Sequence, residues 1–576
     1  MPSPQRRSTA HHFLDGLAEA GIEHLFSNLG TDHVSLIEAM AQFTREGRPQ
    51  PNVVLCPHEN VAIHMAAGYA AVTGRGQGVL VHVDAGTANA AMGMHNLFRS
   101  RWPVLLMAGQ SPFTLRGELP GSRDNYVHFV QDPFDIGSLV RPYVKWEYAL
   151  PSGVVAKEVL RRAHSVMHSD PPGPVYLTLP RETLAEEWED ARVASFPAAR
   201  FGPVKAGGLP QASAAEIARA LLQASKPVVI TSYLGRKPEA VAALEALAME
   251  CGIRVHEFMP TAMNVSRDSP CFGGFDPAKA LAGTDLCLLL DVDVPWLPKF
   301  VQPEAGTRFV HVDVDPLKQD FPMWGFATDL RVQADCAQAL PDILQAVRAQ
   351  ADEAFRTRVR ERTAGWARER DERTRALAAA AAEPGTRDAI APAFACAAIG
   401  SAIGEHDIVV NEAIRNSPSV LTQVRRTQPG TLLGCAGGGL GYSGGMALGA
   451  RLARPTQRVV QVVGDGGFHF STPTSVYAVA QRYRLPILTV VLDNGGWQAV
   501  KEAVLRVYPQ GEAAQARQFH AQLTGEVRRF DQVAQAFGAH GEHVREPGEL
   551  EAALRRCIQA VDDGRAAVLH VQVAAL

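Results

Sequence analysis

The segment from Gly464 to Trp497 constrains this chain more than any other. The apolar run Val459-Val460-Gln461-Val462-Val463 leads into Gly464-Asp465-Gly466-Gly467-Phe468-His469-Phe470. A second apolar run, Ile487-Leu488-Thr489-Val490-Val491-Leu492, leads into Asp493-Asn494-Gly495-Gly496-Trp497. Continuous apolar runs of this length read as buried parallel strands. Between them Ser471-Thr472-Pro473 carries the signals that open a helix, so the expected unit is strand, loop, helix, strand, with Asp465 in the loop. Both strands of such a unit end on one sheet edge, which sets Asp465 beside Asn494 although 29 positions separate them. One carboxylate, one amide oxygen and a nearby backbone carbonyl, assigned to Gly496, make a hard oxygen set suited to Mg²⁺, which draws its remaining ligands from phosphates. Gly466 and Gly467 let the backbone approach those phosphates, and a helix N-terminus offers them amide hydrogens. Taken alone, Gly-Asp-Gly is also what an N-capping aspartate in an ordinary glycine-rich turn looks like; the second half at its spacing argues against that.

Gly464-Asp465-Gly466, then 26 residues, then a pair ending in Asn resembles the motif of the thiamine diphosphate (ThDP) enzymes. The family pattern has Asn-Asn at the end; here Asp493 replaces the first Asn and adds a negative charge beside the site. The resemblance implies Asp465, Asn494 and Gly496 as metal ligands, with Gly464, Gly466 and Gly467 against the diphosphate.

Earlier in the chain, helical and strand periods alternate from residue 9 onward. Ser27-Asn28-Leu29-Gly30-Thr31-Asp32-His33 forms a strand-end loop on the ligand edge, which makes Gly30 a candidate cofactor contact. Val53-Val54-Leu55 is followed by Cys56-Pro57-His58-Glu59 and an Ala-rich helix. A glutamate in a first helical turn usually only complements the helix dipole. His-Glu before such a helix, however, resembles the family's catalytic glutamate, which bonds a pyrimidine nitrogen of the cofactor and drives its activation. The strand Gly78-Val79-Leu80-Val81-His82-Val83, which carries His82, ends at Asp84-Ala85-Gly86-Thr87. A lone His on an apolar strand is more often a core residue; in benzoylformate decarboxylase-like members the matching His faces substrate. Gln131 matches a family glutamine near the pocket.

At 576 residues the chain exceeds one core and predicts about three domains. The expected division is residues 1–185 for a pyrimidine-binding domain, 200–345 for a central α/β domain and 386–576 for a diphosphate-binding domain, each a doubly wound parallel sheet. Residues 185–210 read as a Pro/Gly linker, and 348–382 as a solvated helical linker with charges of both signs. The family's middle domain binds FAD in some members. The usual flavin-contacting loop is absent here, with Cys271-Phe272-Gly273-Gly274 in its place, so FAD is unsupported. In the last domain, Gly439 and Leu440 match the turn whose large apolar side chain wedges between the cofactor's two rings, and Asn411 and Glu412 match the diphosphate-side loop.

A net charge of −4 with 20% charged residues gives no basic excess for nucleic acid or anionic membrane. Eight scattered Cys without a CxxC pair indicate packed, reduced thiols. No signal-like apolar segment opens the chain, which makes the cytoplasm the expected compartment. Together these readings imply a ThDP- and Mg²⁺-dependent enzyme acting on a 2-oxo acid, with Glu59 and His82 as catalytic residues. Acetolactate synthase-like carboligation is the preferred outcome, with benzoylformate decarboxylase-like decarboxylation and a non-catalytic ThDP-fold subunit as alternatives. The resemblance further implies a homodimer or dimer of dimers with active sites between subunits.

Overall fold

A computed structural model describes residues 6–523 and 528–575. Three six-stranded sheets, every strand pairing parallel, succeed one another along the chain. The first runs, in spatial order, Asn52–Leu55, His24–Ser27, Gln77–Val81, Val104–Gln110, Val175–Pro180 and Glu147–Ala149. The third runs Leu432–Leu433, Ile408–Glu412, Val459–Gly464, Leu488–Asp493, Ala567–Gln572 and His540–Val544. Numbered within their own domains, both have the order 2-1-3-4-6-5. The middle sheet, from Pro227–Thr231 to Leu330–Gln333, has the order 3-2-1-4-5-6. The central strands are buried on both faces, which is why their sequences are apolar runs and not alternations.

Strand order reverses between the first and third strands of the outer domains, and the crevice there, at the carboxyl edge, is where doubly wound sheets bind ligands. The register places Ser27 opposite Leu80 in the first domain and Glu412 opposite Val463 in the third. Gly30 and His82, and likewise Glu412 at its strand end and Asp465 at its helix start, therefore lie at two equivalent switch points.

The two outer domains share one core. The helix Glu59–Thr73 crosses the helix Ser443–Ala453, and apolar residues of both join a single buried cluster with Phe26, Val410 and Phe468. Backbones meet there: a Cβ on Gly68 would lie 2.0 Å from the Met446 carbonyl oxygen, and one on Gly449 2.0 Å from that of Met65.

Three local expectations need correction. Residues 185–210 are not simply a linker, because Glu187–Glu189 forms an antiparallel pair with Arg6–Ser8. The segment at 348–382 does hold two helices, Glu353–Thr363 and Trp366–Ala381, but Phe355 and Trp366 bury themselves in the middle-domain core. Asp465 does not lie in a loop; it is the first residue of a short helix, Asp465–Phe470, and a second helix, Pro473–Tyr483, follows. Glycine pairs disfavour helix in isolation, and here burial of Phe468 outweighs that preference. All eight thiols are free and seven are buried, Cys435 being half-buried. Among the described residues no helix is long and apolar enough to cross a membrane.

Candidate active site

In the third domain, Asp465 and Asn494 stand at the ends of adjacent strands, as their spacing requires. One side-chain amide atom of Asn494 lies 3.3 Å from Asp465 Oδ1 and 2.9 Å from the Gly496 carbonyl oxygen. With the amide oxygen turned inward, three oxygens converge on one point, an arrangement that repels itself unless a cation lies between them. Asp465 Oδ2 is buried without a partner, and burial, with Asp493 nearby, holds this carboxyl above the ordinary carboxylate range. A carboxylate so short of compensation fits a hard divalent cation such as Mg²⁺. Gly496 reaches its position at φ +129°, and a Cβ there would lie 2.4 Å from the Ala521 carbonyl oxygen, so only glycine turns its backbone this way. A Cβ on Gly466 would strike the Trp497 indole at 2.7 Å, while one on Gly464 would meet only the Ala413 carbonyl oxygen, at an ordinary 3.7 Å.

Asp493, the departure from the family pair, does not leave a loose charge. Its carboxylate accepts from Arg528 Nε and from His570 Nε2, each at 2.9 Å. Burial alone would raise Asp493, but these two partners outweigh it and hold the group well below the usual range.

Glu412 takes a different position from the one its motif suggests. Its carboxylate is buried and accepts from Gly441 N at 2.5 Å, Ser443 N at 3.0 Å and Ser443 Oγ at 2.5 Å. Burial pushes it up to about 7 against those hydrogen bonds. Its acceptors are spent on the glycine turn, so it shapes the approach to Leu440 and presents no free oxygen outward. Asn411 donates to Ser417 Oγ at 2.8 Å and accepts from Ala413 N. Gly439 is clasped from the first domain by Asn96, which accepts from its N–H at 3.1 Å and donates to its carbonyl at 3.0 Å. Leu440 beside it remains half-buried, with surface left for a ligand.

In the first domain, Glu59 opens its helix in a buried position, and Asn89 Nδ2 donates to its Oε2 at 3.0 Å. Its neighbour Asn60 reaches across to the Gly441 carbonyl oxygen at 3.0 Å. Among the described residues no hydrogen bond or ion pair joins Glu59 to Asp465 or Asn494. His82 sits one residue past its strand, immediately before the helix Val83–Ser100, and its side chain makes no capping hydrogen bond to that helix. Its Nδ1 lies 2.5 Å from Asp32 Oδ1 and its Nε2 3.0 Å from Gln131 Oε1. The hydrogen bond to Asp32 raises the imidazole above its ordinary value against the lowering effect of burial. Gly30 leaves room for this ring, since a Cβ there would lie 2.0 Å from His82 Nδ1. Thus Gly30, His82 and Gln131 form one cluster. The residues that sequence reasoning missed are Asp32, Asn60, Asn89 and Asn96, all polar groups whose partners are distant in the chain.

In the middle domain the corresponding crevice is filled. Arg101, from the first domain, places Nη2 2.7 Å from Asp293 Oδ1 and its guanidinium 4.4 Å over the Tyr233 ring. Lys318 Nζ lies 2.8 Å from Asp313 Oδ2 and 2.7 Å from Tyr233 Oη. A flavin laid across this crevice would displace these ion pairs, so FAD gains no support from the fold.

Residues 7–139 match the family model of the thiamine pyrophosphate enzyme N-terminal TPP binding domain, and residues 416–571 match that of the C-terminal TPP binding domain. The chain belongs to the thiamine pyrophosphate enzymes. Pyrophosphate and diphosphate name the same cofactor, and its binding domains are those with the two equivalent switch points. Over 94% of its length the chain is 26% identical to the benzoylformate decarboxylase of Pseudomonas aeruginosa, covering 95% of that protein. It is 24% identical to the acetolactate synthase of Bacillus subtilis, over 95% of this chain and 90% of that one. Among solved structures, a thiamine diphosphate-dependent 4-hydroxybenzoylformate decarboxylase of Rhodococcus jostii RHA1 superposes with a TM-score of 0.77 at 20% identity, covering 99% of both chains. The benzoylformate decarboxylase of Polynucleobacter necessarius gives 0.78 at 19% identity and the same coverage. At these identities the structural likeness establishes the fold of this thiamine pyrophosphate enzyme and not its substrate.

Proposed function

We propose that this thiamine pyrophosphate enzyme decarboxylates a 2-oxo acid without oxidation, releasing CO₂ and an aldehyde. The observation that carries the reading is His82, set at the first-domain switch point between Asp32 and Gln131 with a ring nitrogen directed to each. The bound cofactor supplies an electron sink for the pair left behind when CO₂ departs. The residues of this chain do the rest. Asp465, Asn494 and Gly496 would hold Mg²⁺, Gly466 and Gly467 would permit close backbone approach to the cofactor's phosphates, and Leu440 would pack against the cofactor. Glu59, buried and oriented by Asn89, holds the proton at the pyrimidine nitrogen. His82 supplies the proton that replaces CO₂ on the former carbonyl carbon. Two chains complete the assembly, with Glu59 of one subunit serving the metal site of the other.

A second reading, acetolactate synthase-like carboligation, draws on the likeness to the Bacillus subtilis acetolactate synthase. Here a second carbonyl compound, and not a proton, captures the carbon. Purified protein with ThDP, Mg²⁺ and a panel of aliphatic and aromatic 2-oxo acids, with CO₂ and product carbon skeleton both followed, separates the two. Aldehyde in stoichiometric yield with CO₂ supports decarboxylation; a 2-hydroxyketo product supports carboligation; CO₂ release from none of the panel would overturn both.

A further inference from the structure

The carboxylate behind His82 is Asp32, only 1% exposed. Its Oδ1 faces His82 Nδ1 at 2.5 Å, and its Oδ2 lies 3.3 Å from the Val83 amide nitrogen and 3.3 Å from His33 Nε2. His33 Nδ1 accepts from the Gly30 N–H at 3.0 Å, so the neutral ring carries its proton on Nε2, toward Asp32. The surroundings are cut to admit this pair. A Cβ on Gly109 would lie 1.6 Å from Asp32 Oδ2, just as one on Gly30 would strike His82 Nδ1. Val83, the residue after His82, adopts φ +34°, a conformation that β-branched residues avoid, and it brings its N–H toward the same carboxylate.

We propose that Asp32 is a positioning residue of the reaction: it anchors His82 through Nδ1 and leaves Nε2, beside Gln131, as the edge that delivers a proton to substrate. This rests on the decarboxylase reading above. Both ring nitrogens face acceptors, Asp32 Oδ1 and Gln131 Oε1, which only the imidazolium form satisfies together. The charged or titratable groups around the ring are Asp32, His33 and Asp84; His128 stands one contact away, 3.2 Å from Thr31 Oγ1. Asp32 raises the imidazole, so the ring holds its acid form to higher pH than a free histidine. The step balances simply. The bond between the carbonyl carbon and the carboxylate breaks, CO₂ leaves, and its electron pair stays on that carbon. The proton on His82 Nε2 then joins the carbon, leaving a neutral ring still bonded to Asp32 through Nδ1–H, and water restores the lost proton. An unanchored imidazole could rotate, present either nitrogen, and lose its proton at lower pH.

The test is a double-mutant cycle on the holoenzyme, with Asp32→Asn, His82→Ala and the double variant assayed for CO₂ release and aldehyde formation from benzoylformate or whichever 2-oxo acid turns over. His82→Ala is expected to lower kcat roughly a hundredfold or more, and Asp32→Asn about tenfold or more with little change in KM. The basic limb of the Asp32→Asn profile should move to lower pH, and Asp32→Asn should cost nothing further once His82 is gone. An equal loss from Asp32→Asn in both backgrounds, or an unchanged kcat and pH profile, overturns the positioning role. Wild-type kcat in His82→Ala instead removes the proton-donor reading itself, a separate result. Should Asp32→Asn fail to fold, imidazole ¹⁵N spectra of the wild-type holoenzyme decide: Nδ1 protonated across the titration supports the proposal, and a neutral ring protonated only at Nε2 overturns it.

Discussion

Asp493 and His570, 77 positions apart and both fully buried, meet at 2.9 Å on neighbouring strands of the third sheet. The family places an uncharged Asn at this position, next to the metal ligand. Here the extra charge is met by His570 and Arg528, although it still acts on the nearby Asp465. Asp493→Ala should therefore act on stability first, costing on the order of 3 kcal/mol because two donors lose a buried acceptor. Chemical denaturation measures this. Cofactor affinity of the folded fraction should change far less than in variants of the ligands themselves.

The ligand variants give the contrasting expectation. Asp465→Ala and Asn494→Ala each remove one hard oxygen, and calorimetry should show Mg²⁺-dependent ThDP binding lost or weakened by orders of magnitude in both. Unchanged affinity in both would reject the site. Stability without cofactor should not fall in Asp465→Ala, because a buried carboxyl without a full set of partners is itself unfavourable.

Glu59→Gln should leave fold and ThDP binding nearly intact while turnover falls by orders of magnitude, since the amide keeps the size and cannot accept and return a proton. The same residue tests assembly. If Glu59 serves the partner's metal site, mixing Glu59→Gln with Asp465→Ala subunits should regenerate activity in heterodimers, which form one intact site of two. Sedimentation with activity in the same fraction checks it; an active 62.0 kDa monomer would contradict it.

Much of this architecture was legible because its signals are local. The apolar runs before Asp465 and Asn494 define two buried strands, and parallel topology then dictates that their ends are neighbours. Glu59 was legible for the same reason, as the residue between a strand end and an Ala-rich helix. The Asp32–His82 pair was not, because 50 positions separate residues in two loops and no period links them. The Ser27–His33 loop was assigned to the ligand edge and His82 to a strand, yet which side chains touch there depends on Gly30 and Gly109, whose role is visible only as the space they leave. Arg101 was equally silent: a guanidinium at the end of a helix gives no sign that it fills the crevice of another domain. The pairing of Arg6–Ser8 with Glu187–Glu189 joins two segments of three residues each, too short for any alternation to declare itself.

Titration of the same pair gives the final prediction. Burial would raise Asp32, but the hydrogen bond from His82, together with the charge of that ring, outweighs it and leaves the carboxyl below its ordinary value. Its share of the stability is present above the unfolded value of about 3.9 and is lost as pH falls through the lower folded value. His82 is shifted the other way, by Asp32. Its share is complete below about 6.5 and is lost as pH rises through the higher folded value. The pair therefore contributes fully between roughly pH 4 and pH 6.5, where both partners are charged in the fold. A charged hydrogen bond of this kind is worth about 1.5–3 kcal/mol. Urea midpoints of wild type and Asp32→Asn from pH 3.5 to 9 should differ most inside that window and converge on either side of it, more gradually on the basic side. A difference that stays constant across the range would mean that Asp32 supports the loop by shape alone.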